Sequence, residues 1–483
     1  MAEFIVAIEL GSSKITGIAG KKNLDGSIKV LAVVREDATT CIRKGVVYNI
    51  DKTVQALGSI IKKLETALKS KISQVYVGVG GQSIRSVRNT IVKELPEETI
   101  VTQDMVNRLM DANRSMQYPE QEILDAATQE YKVDSQYQID PVGIQCKRLE
   151  GNFLNILWRK LFYRNINKCF DNAGIAIAEM YLSPLALADA VLTDAEKLGG
   201  CALVDLGADT TTVAVYCRNI LRHLAVIPIG GNAVTKDIAS LQMEDKDAEK
   251  LKLAHACALT DAATLDAAND IRIDAERTVP AAKFAEIVEA RVQEIVENVW
   301  HQVPPEYQQD KLRSGIVLTG GGSNMKNIEA AFKAYTPVEK VRTANFVTQT
   351  ILSKSQAVNA KDGTMCTILG LLAKGDMNCA GGDISDTLFG GDTDKAATPG
   401  LQHPNRPFGE TTGKGIVQTE AEKNAEEEAR RREKEEEERR RREKEEEEEE
   451  EKRRRKENSW FHKAITGLKK FGKKMVEDEE EEK

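Results

Sequence analysis

Cysteine and histidine are scarce and scattered in this 483-residue sequence. The eight cysteines include no CxxC pair, and there are only five histidines. Since structural zinc sites are built from closely spaced cysteines and histidines, the pattern argues against a zinc site. Unpaired cysteines in a chain of this length predict a reducing compartment.

Long hydrophobic runs are also absent, since no uncharged apolar stretch approaches the roughly 20 residues that a membrane-spanning helix needs. The strand-like run Phe4-Ile-Val-Ala-Ile8 has no basic segment before it. We therefore expect no signal peptide and only peripheral contact with a membrane. A net charge of −8 lacks the basic excess of a general nucleic-acid binder, so we expect no nucleic-acid partner.

The composition changes towards the end of the chain. Residues 1 to about 375 mix apolar runs with turn glycines, as a globular protein does. The next segment, to about Gln418, is rich in Gly, Asp, Thr and Pro, which predicts a flexible linker. Glu420–Glu457 is almost entirely Glu, Arg and Lys, and Asn458–Val476 is again apolar and basic.

One pattern occurs twice in the globular part. An apolar strand, an acid-apolar-Gly turn, small hydroxyl residues and a second apolar strand span Phe4 to Ile18 and again Ala202 to Val215. We predict a β-hairpin at each place. The backbone N–H groups and hydroxyls of such turns can bind phosphate. One hairpin alone is a common feature, but two could grip a polyphosphate from both sides.

A third glycine turn strengthens this interpretation. The run from Gly315 to Ser323 predicts a buried strand and three glycines, followed by a helix from Met325 to Tyr335. Glycines there let the backbone approach a flat base or ribose, with the helix N-terminus nearby. A simple strand-to-helix turn would need one glycine rather than three.

Together these features resemble the actin, Hsp70 and sugar-kinase superfamily, and within it the chain is similar to the FtsA family of bacterial cell-division proteins. The segments that carry the closer resemblance are Glu9 in place of the superfamily's usual aspartate, Ile227–Ala239, Ala248–Leu259, and Gln129–Tyr131 with Asp140–Gly143. The resemblance covers nearly all of residues 1 to 375 and returns at the C-terminal apolar segment. It does not cover the long charged segment.

The resemblance implies an α/β, actin-like two-lobed ATPase fold with an inserted FtsA-type (SHS2) subdomain. The expected segments are the first-lobe core with the first phosphate hairpin (1–83), the inserted subdomain (84–163), a return to the first lobe (164–197), the second-lobe core with the second hairpin (198–236), a small second-lobe subdomain (237–297), closing elements with the adenosine turn (298–375), the flexible linker (376–419), a charged helical spacer (420–457) and a membrane-binding amphipathic helix (458–476).

The resemblance also implies ATP and Mg²⁺ as cofactors. Its nucleotide-binding residues fall on the two hairpins, the segment after the second hairpin, one helix face and the glycine turn: Gly11, Ser12, Ser13, Lys14, Gly207, Asp209, Thr210, Gly230, Gly231, Glu249, Lys252, Gly320, Gly321, Gly322 and Ser323. Glu9 and Asp205 would orient the magnesium ion through water. No residue is expected to be catalytic.

Four residues leave the nucleotide site open to other interpretations. The family's second hairpin usually reads Gly-Gly-Gly-Thr, and an aspartate at position 209 repels a triphosphate unless magnesium or Lys14 compensates. Glu249 and Lys252, spaced i and i+3, could also be an ordinary exposed helix pair. Ser183 lies where hydrolytic relatives carry a water-positioning carboxylate or amide, so we expect slow hydrolysis at best.

The last apolar segment predicts an amphipathic helix on an anionic membrane, because apolar residues recur every three or four positions opposite a lysine face. Its membrane-binding residues are Trp460, Phe461, Ile465, Leu468, Phe471, Lys469, Lys470, Lys473 and Lys474. A helix that docks on the body or on a partner is the alternative.

The charged segment before the amphipathic helix has Glu and Arg residues four positions apart, which favours a lone solvated helix. A disordered spacer is the alternative.

By the same resemblance, the protein would bind the C-terminal peptide of the division protein FtsZ. It would thereby tether FtsZ to the cytoplasmic face of the inner membrane at the septum. It would also form filaments with itself and help recruit later division proteins. Arg291, on a helix predicted from Ala282 to Trp300, is the candidate contact for an acidic peptide. The alternatives are an actin-like adaptor of pilus assembly and a small-molecule kinase, which would need a catalytic aspartate.

Overall fold

The computed structural model describes residues 3–260, 270–273, 277–308 and 310–380. Most of the predicted linker, the charged spacer and the amphipathic helix with its membrane-binding residues lie outside this part. None of the helices in the described ranges is long and apolar enough to cross a membrane. The same ranges contain no cluster of three or more His, Cys, Asp or Glu side chains that could hold a metal ion.

The chain first builds most of one sheet and then leaves it for an inserted subdomain. The first elements are β1 (Ile5–Leu10), β2 (Lys14–Lys22), β3 (Ile28–Asp37), β4 (Ile42–Arg43), β5 (Val46–Val47), α1 (Ile50–Leu68) and β6 (Gln74–Val79). The inserted subdomain consists of β7 (Arg85–Ile100), α2 (Gln103–Arg114), β8 (Gln121–Val133), β9 (Gln136–Gln138) and β10 (Gln145–Arg159). The chain returns through α3 (Lys160–Asn172), β11 (Ala176–Leu182), α4 (Ser183–Val191) and α5 (Asp194–Gly199).

The second half begins with a three-strand arrangement like that of the first half, and its last elements complete both lobes. Its first elements are β12 (Cys201–Leu206), β13 (Thr211–Cys217), β14 (Ile220–Ile227), α6 (Gly231–Ala239), α7 (Asp245–His255), β15 (Asp270–Arg272), β16 (Thr278–Pro280), α8 (Ala281–Gln302) and α9 (Pro305–Gln308). The closing elements are β17 (Gly315–Thr319), a 3₁₀ turn (Gly321–Asn324), α10 (Ile328–Tyr335), β18 (Val341–Thr343), β19 (Ile351–Leu352), α11 (Gln356–Asn359) and α12 (Cys366–Lys374).

The two lobes share one sheet topology. In the first lobe β3, β2 and β1 form an antiparallel meander, and β6 and β11 continue it in parallel. In the second lobe β14, β13 and β12 form the same meander, continued by β17 and β18. The repeat seen in the sequence of the two hairpins therefore extends to five strands of each lobe.

The core strands read as continuous hydrophobic runs because both of their faces are covered. In β1, Ile5, Val6, Ala7 and Ile8 are each at most 2% exposed. Helices α1 and α12 pack against this sheet. A strand buried on both faces has no polar side to alternate with. Helix α1 begins at a side-chain cap, where Asn49 accepts a hydrogen bond from the Lys52 N–H.

The inserted subdomain is connected along the chain to the first lobe, but its strands extend the sheet of the second lobe. Its strand β7 pairs with β14 at Ala225 and Arg85, which makes one nine-stranded sheet. The side-chain amide of Gln129 donates to the Leu221 carbonyl over 3.0 Å, and Arg88 forms an ion pair with Glu306. On the other side, the Trp158 Nε1 donates to the Gln82 carbonyl of the first lobe over 3.1 Å, so the insert contacts both lobes.

The helices at two predicted positions differ slightly in extent. Helix α10 begins at Ile328 rather than Met325, because Lys326 forms a β-bridge with Cys257 and Asn327 has a left-handed backbone, with φ 61°. Helix α8 runs one residue earlier and two residues later than predicted.

The last described residues are bound between β1 and the chain that enters β6. The Cys379 N–H donates to the Phe4 carbonyl over 2.8 Å, and the Cys379 carbonyl accepts from the Ser73 N–H at 2.8 Å. The Phe4 N–H in turn donates to Asn378 Oδ1. This segment, Asp376–Ala380, is called the C-terminal clamp below.

Candidate nucleotide site

The two hairpin turns have the same backbone geometry. The Gly11 N–H donates to the Lys14 carbonyl over 3.1 Å, and the Gly207 N–H donates to the Thr210 carbonyl over 2.9 Å. A Cβ atom at either glycine would lie 2.8 Å from that carbonyl oxygen, so a side chain would disrupt both turns. Each turn thus brings its backbone and small side chains close to any group that lies between the lobes.

The hairpins and the glycine turn line one cleft of about 1300 Å³. Twelve of the fifteen predicted nucleotide-binding residues line it, together with both predicted magnesium-orienting acids: Glu9, Gly11, Ser12, Ser13, Lys14, Asp205, Gly207, Thr210, Gly231, Glu249, Lys252, Gly320, Gly321 and Gly322. Asp209, Gly230 and Ser323 are not in the lining. The chain therefore brings most of the predicted set together.

Glu9 and Asp205 occupy equivalent positions, each the second-last residue of the first strand of its hairpin. Burial, reinforced by the negative charge of Asp205, raises the pKa of Glu9 from 4.5 to about 8, and the nearby Arg35 opposes this shift. Burial raises the pKa of Asp205 to about 6. Burial disfavours the ionised form of both carboxylates, and a nearby divalent cation would favour it.

The three glycines of the late turn have different roles. Gly320 has φ 83°, and a Cβ there would lie 2.2 Å from the Asp205 Oδ1. A Cβ at Gly322 would lie 2.9 Å from the Leu206 Cβ. At Gly321 the nearest atom is 3.6 Å away, an ordinary contact. Gly320 and Gly322 therefore let the turn pack on β12, while Gly321 borders the cleft.

Ser323 and Gly230 support the site from behind. The Ser323 hydroxyl donates to the Gly320 carbonyl over 2.7 Å and holds the glycine turn closed. Gly230 packs on the second hairpin, since a Cβ there would lie 2.6 Å from the Ala208 carbonyl oxygen. The Gly231 N–H donates to the Gly207 carbonyl over 3.0 Å, so this N–H group holds the hairpin.

Glu249 and Lys252 lie on one face of α7 and form an ion pair of 2.7 Å. Lys252 also donates to the Gly231 carbonyl and to the Thr235 hydroxyl, over 3.1 and 2.9 Å. Its side chain is only 11% exposed. An ordinary exposed pair would leave the lysine in water, whereas this lysine fixes the start of α6 at the edge of the cleft.

Asp209 bridges the two lobes and is not among the residues that line the cleft. One carboxylate oxygen accepts from the Lys44 N–H of the first lobe over 3.0 Å. The other accepts from the Asn232 amide over 2.7 Å. Next to Lys44, the Gly45 N–H donates to the Ser12 hydroxyl over 2.8 Å. The turn between β4 and β5 therefore contacts both hairpins.

Several cleft residues carried no motif in the sequence. Thr16, Arg35 and Thr212 line the cleft from β2, β3 and β13, and Asp362 and Thr364 line it from the loop before α12. Single residues inside ordinary strands give no sequence signal. Ser183, which was predicted to lie near the attacking water, is the first residue of α4 and also lines the cleft.

Arg291 is occupied within the protein. Its guanidinium binds both carboxylate oxygens of Asp237, over 2.5 and 3.1 Å, and also pairs with Glu294. These partners raise the pKa of Arg291 further. An acidic peptide would therefore have to displace Asp237 or bind beside this pair.

The residues in the cleft fit a nucleoside triphosphate with magnesium. The Gly11–Lys14 and Gly207–Thr210 turns bring backbone groups and small hydroxyl side chains to the cleft wall, where phosphate oxygens could bind. A buried Nε of Arg35 has no hydrogen-bond partner within the described structure. Two acids alone cannot fill an octahedral shell, which agrees with a magnesium ion held mainly by water and phosphate oxygens.

The chain matches two family models. Residues 202–370 match the model of the cell division protein FtsA, and residues 81–157 match the SHS2 domain inserted in FtsA. Among solved structures, the PilM–PilN type IV pilus biogenesis complex aligns with a TM-score of 0.54 at 14% identity, covering 76% of this chain and 97% of that one. The predicted actin-like fold with an SHS2 insert is confirmed.

Curated relatives are similar over most of their length. The FtsA of Porphyromonas gingivalis is 31% identical over 69% of this chain and 71% of its own. The FtsA of Neisseria meningitidis serogroup B is 33% identical over 67% of this chain and 80% of its own. With both family models matched and this identity across the two-lobed body, the chain belongs to the FtsA family of cell division proteins.

Proposed function

We propose that the protein is an ATP-binding adaptor that tethers FtsZ to the cytoplasmic face of the inner membrane during cell division. The observation that carries the nucleotide part is the pair of matching hairpins, whose Gly11 and Gly207 turns line one cleft. A polyphosphate is a ligand that two such turns could share, because backbone N–H groups beyond the two glycines and the small hydroxyl side chains can bind phosphate oxygens.

The roles of the residues follow from where they lie. The Gly11–Lys14 turn and the Gly207–Thr210 turn would bind the phosphates, each from its own lobe. The bound magnesium ion would offset the charge of the phosphates, and Glu9 and Asp205 would orient its water ligands. Gly321 would lie against the adenosine, at the wall of the cleft.

The adaptor role comes from the family and from the tail. Membership of the FtsA family of cell division proteins supports FtsZ as the partner. It also supports self-association into filaments and the recruitment of later division proteins. Trp460 and Phe461 lead the amphipathic segment whose lysines suit anionic lipid. Many weakly bound helices carried by one filament would add up to firm attachment.

For the FtsZ peptide, the small subdomain around α8 supplies a candidate surface. Arg291 lies there as a guanidinium already bound to Asp237. An incoming acidic peptide would replace the Asp237 carboxylate with one of its own. The Arg291 guanidinium would then keep an anionic partner throughout, which costs less than leaving it unpaired. Arg291→Ala should therefore weaken FtsZ binding and also lower the stability of the body.

Vesicle flotation with FtsZ tests the whole proposal. Full-length protein should float with anionic vesicles and carry FtsZ with it, and ATP with magnesium should increase the amount carried. Trp460→Glu combined with Phe461→Glu should leave both proteins in the soluble fraction, and raised salt should weaken the wild-type protein's binding without eliminating it. If a chain truncated before Asn458 floats as well as the full-length protein, the anchor lies elsewhere.

A further inference from the structure

Arg35 lies in one cross-strand row with the acid of the first hairpin. In the sheet register, Arg35 of β3 pairs with Thr16 of β2, and Thr16 pairs with Glu9 of β1. All three residues line the cleft. A row across three adjacent strands places side chains on the same face of the sheet. The guanidinium is therefore a cation on the first lobe's wall of the cleft.

The contacts of this guanidinium leave it short of partners. Its Nη2 touches the Met365 sulfur and lies 3.4 Å from the Thr364 hydroxyl. The Nε is buried and has no hydrogen-bond partner in the described ranges. No ion pair found between described residues includes Arg35. A buried donor without a partner is costly, so the site is incomplete without an acceptor.

Glu9 does not supply that acceptor. Two strand spacings of about 4.8 Å separate the backbones of Arg35 and Glu9, and their side chains form no ion pair in this part of the chain. Lys252 differs in this respect, since Glu249 neutralises it at 2.7 Å. Among these two cleft cations, Arg35 is the one without a carboxylate partner.

We propose that Arg35 is a phosphate-binding residue of the cleft, which contacts the oxygens of the bound nucleotide's phosphate chain from the first lobe. The inference rests on the proposed nucleotide function. A planar guanidinium suits this task because its N–H groups can bind two phosphate oxygens at once. The hairpin turns supply mainly neutral donors, so a fixed cation would add charge complementarity that backbone N–H groups lack.

Binding measurements on two variants test this role. Arg35→Gln removes the charge with little change of volume, and Lys29→Gln removes an exposed lysine of the same strand that is outside the cleft lining. Dissociation constants for ATP, ADP and adenosine, each with magnesium, would be measured by calorimetry. We expect Arg35→Gln to weaken ATP and ADP binding about tenfold or more, to leave adenosine binding unchanged, and Lys29→Gln to match the wild type.

The possible failures are distinguishable. If the folded wild type binds neither ATP nor ADP, the proposed nucleotide function fails. If the wild type binds and Arg35→Gln stays within twofold for ATP, only the Arg35 assignment is wrong. Equal loss of adenosine and ATP would also overturn it, because a phosphate contact cannot act on adenosine. Arg35→Lys should keep part of the affinity, since it retains the charge but loses the second hydrogen bond.

Discussion

The Asp209 carboxylate accepts a hydrogen bond from the Lys44 N–H over 3.0 Å and so joins the two lobes beside the phosphate turns. The sequence had suggested that this aspartate would repel a triphosphate. In the structure both of its oxygens have donors, and the residue lies outside the cleft lining. Its charge is therefore used to hold the lobes together.

We predict that Asp209→Ala will not improve ATP binding and will instead loosen the contact between the lobes. A hydrogen bond to a charged group contributes about 1.5–3 kcal/mol, so the free energy of unfolding should fall by an amount of that order. Denaturant unfolding and limited proteolysis in excess ATP would measure the change. Asp104→Ala, which removes an exposed carboxylate of α2, is the control. Tighter ATP binding by Asp209→Ala would mean that the carboxylate does repel the phosphates.

The buried acid Glu9 should make the stability of the nucleotide-free protein depend on pH. Its pKa is raised from 4.5 to about 8, so the folded state binds more protons than the unfolded state between these values. The free energy of unfolding should therefore fall as pH rises from 6 to 8, by at most about 2 kcal/mol, and level off above that range.

Glu9→Gln should flatten this pH dependence, because the amide does not titrate. Urea unfolding at pH 6, 7 and 8, without metal or nucleotide, compares the two proteins. Asp205, with a pKa raised to about 6, contributes mainly below this range. An equal slope in the variant and the wild type would show that another group titrates.

Two substitutions at Gly321 separate folding from binding. ATP with magnesium at about 100 times its Kd should stabilise the wild type by about 2.7 kcal/mol. Gly321→Asp should abolish this gain, since a carboxylate would occupy the wall against which the adenosine would lie under the proposed function. Gly321→Ala should fold normally, because a Cβ there has 3.6 Å to its nearest neighbour. If the melting temperature of the wild type does not respond to millimolar ATP, the nucleotide site is wrongly placed.

ATP turnover should be far below about 1 per second, the lower end of the range for kinases. The reason is Ser183 at the start of α4, where a hydroxyl orients and activates water poorly compared with a carboxylate or an amide. Phosphate release should be insensitive to sugars and unchanged within a few-fold in Ser183→Ala. Turnover stimulated by a sugar would favour the kinase alternative.

The parts of the site that the sequence predicted are those in which one residue type is physically required. Gly11, Gly207 and Gly320 face atoms that a Cβ would strike, so the requirement is visible in the chain itself. Arg35 has no such signature, because it is one charged residue in a ten-residue strand. Only the register of β3 with β2 and β1 places it in the cleft.

The attachment of the insert was also beyond sequence reasoning. Its two ends join the first lobe, and nothing in the sequence predicts which sheet it extends. The pairing of Ala225 with Arg85 joins it to the second-lobe sheet. Buried side chains of the insert, such as Leu124 and Leu154, also share one apolar cluster with Leu221 and Leu224 of β14. Such long-range contacts follow from assembled geometry rather than from local periodicity.

The C-terminal clamp determines how the body would receive a mechanical load. Cys379 is hydrogen-bonded to Phe4 on one side and to Ser73 on the other, so tension on the chain beyond Ala380 passes into two strands at once. These two strands, β1 and β6, are parallel to each other, and both lead to the cleft. There β1 carries Glu9, and β6 is followed by Gly80 and Gly81. A pull exerted through the tail would therefore be transmitted to the floor of the cleft.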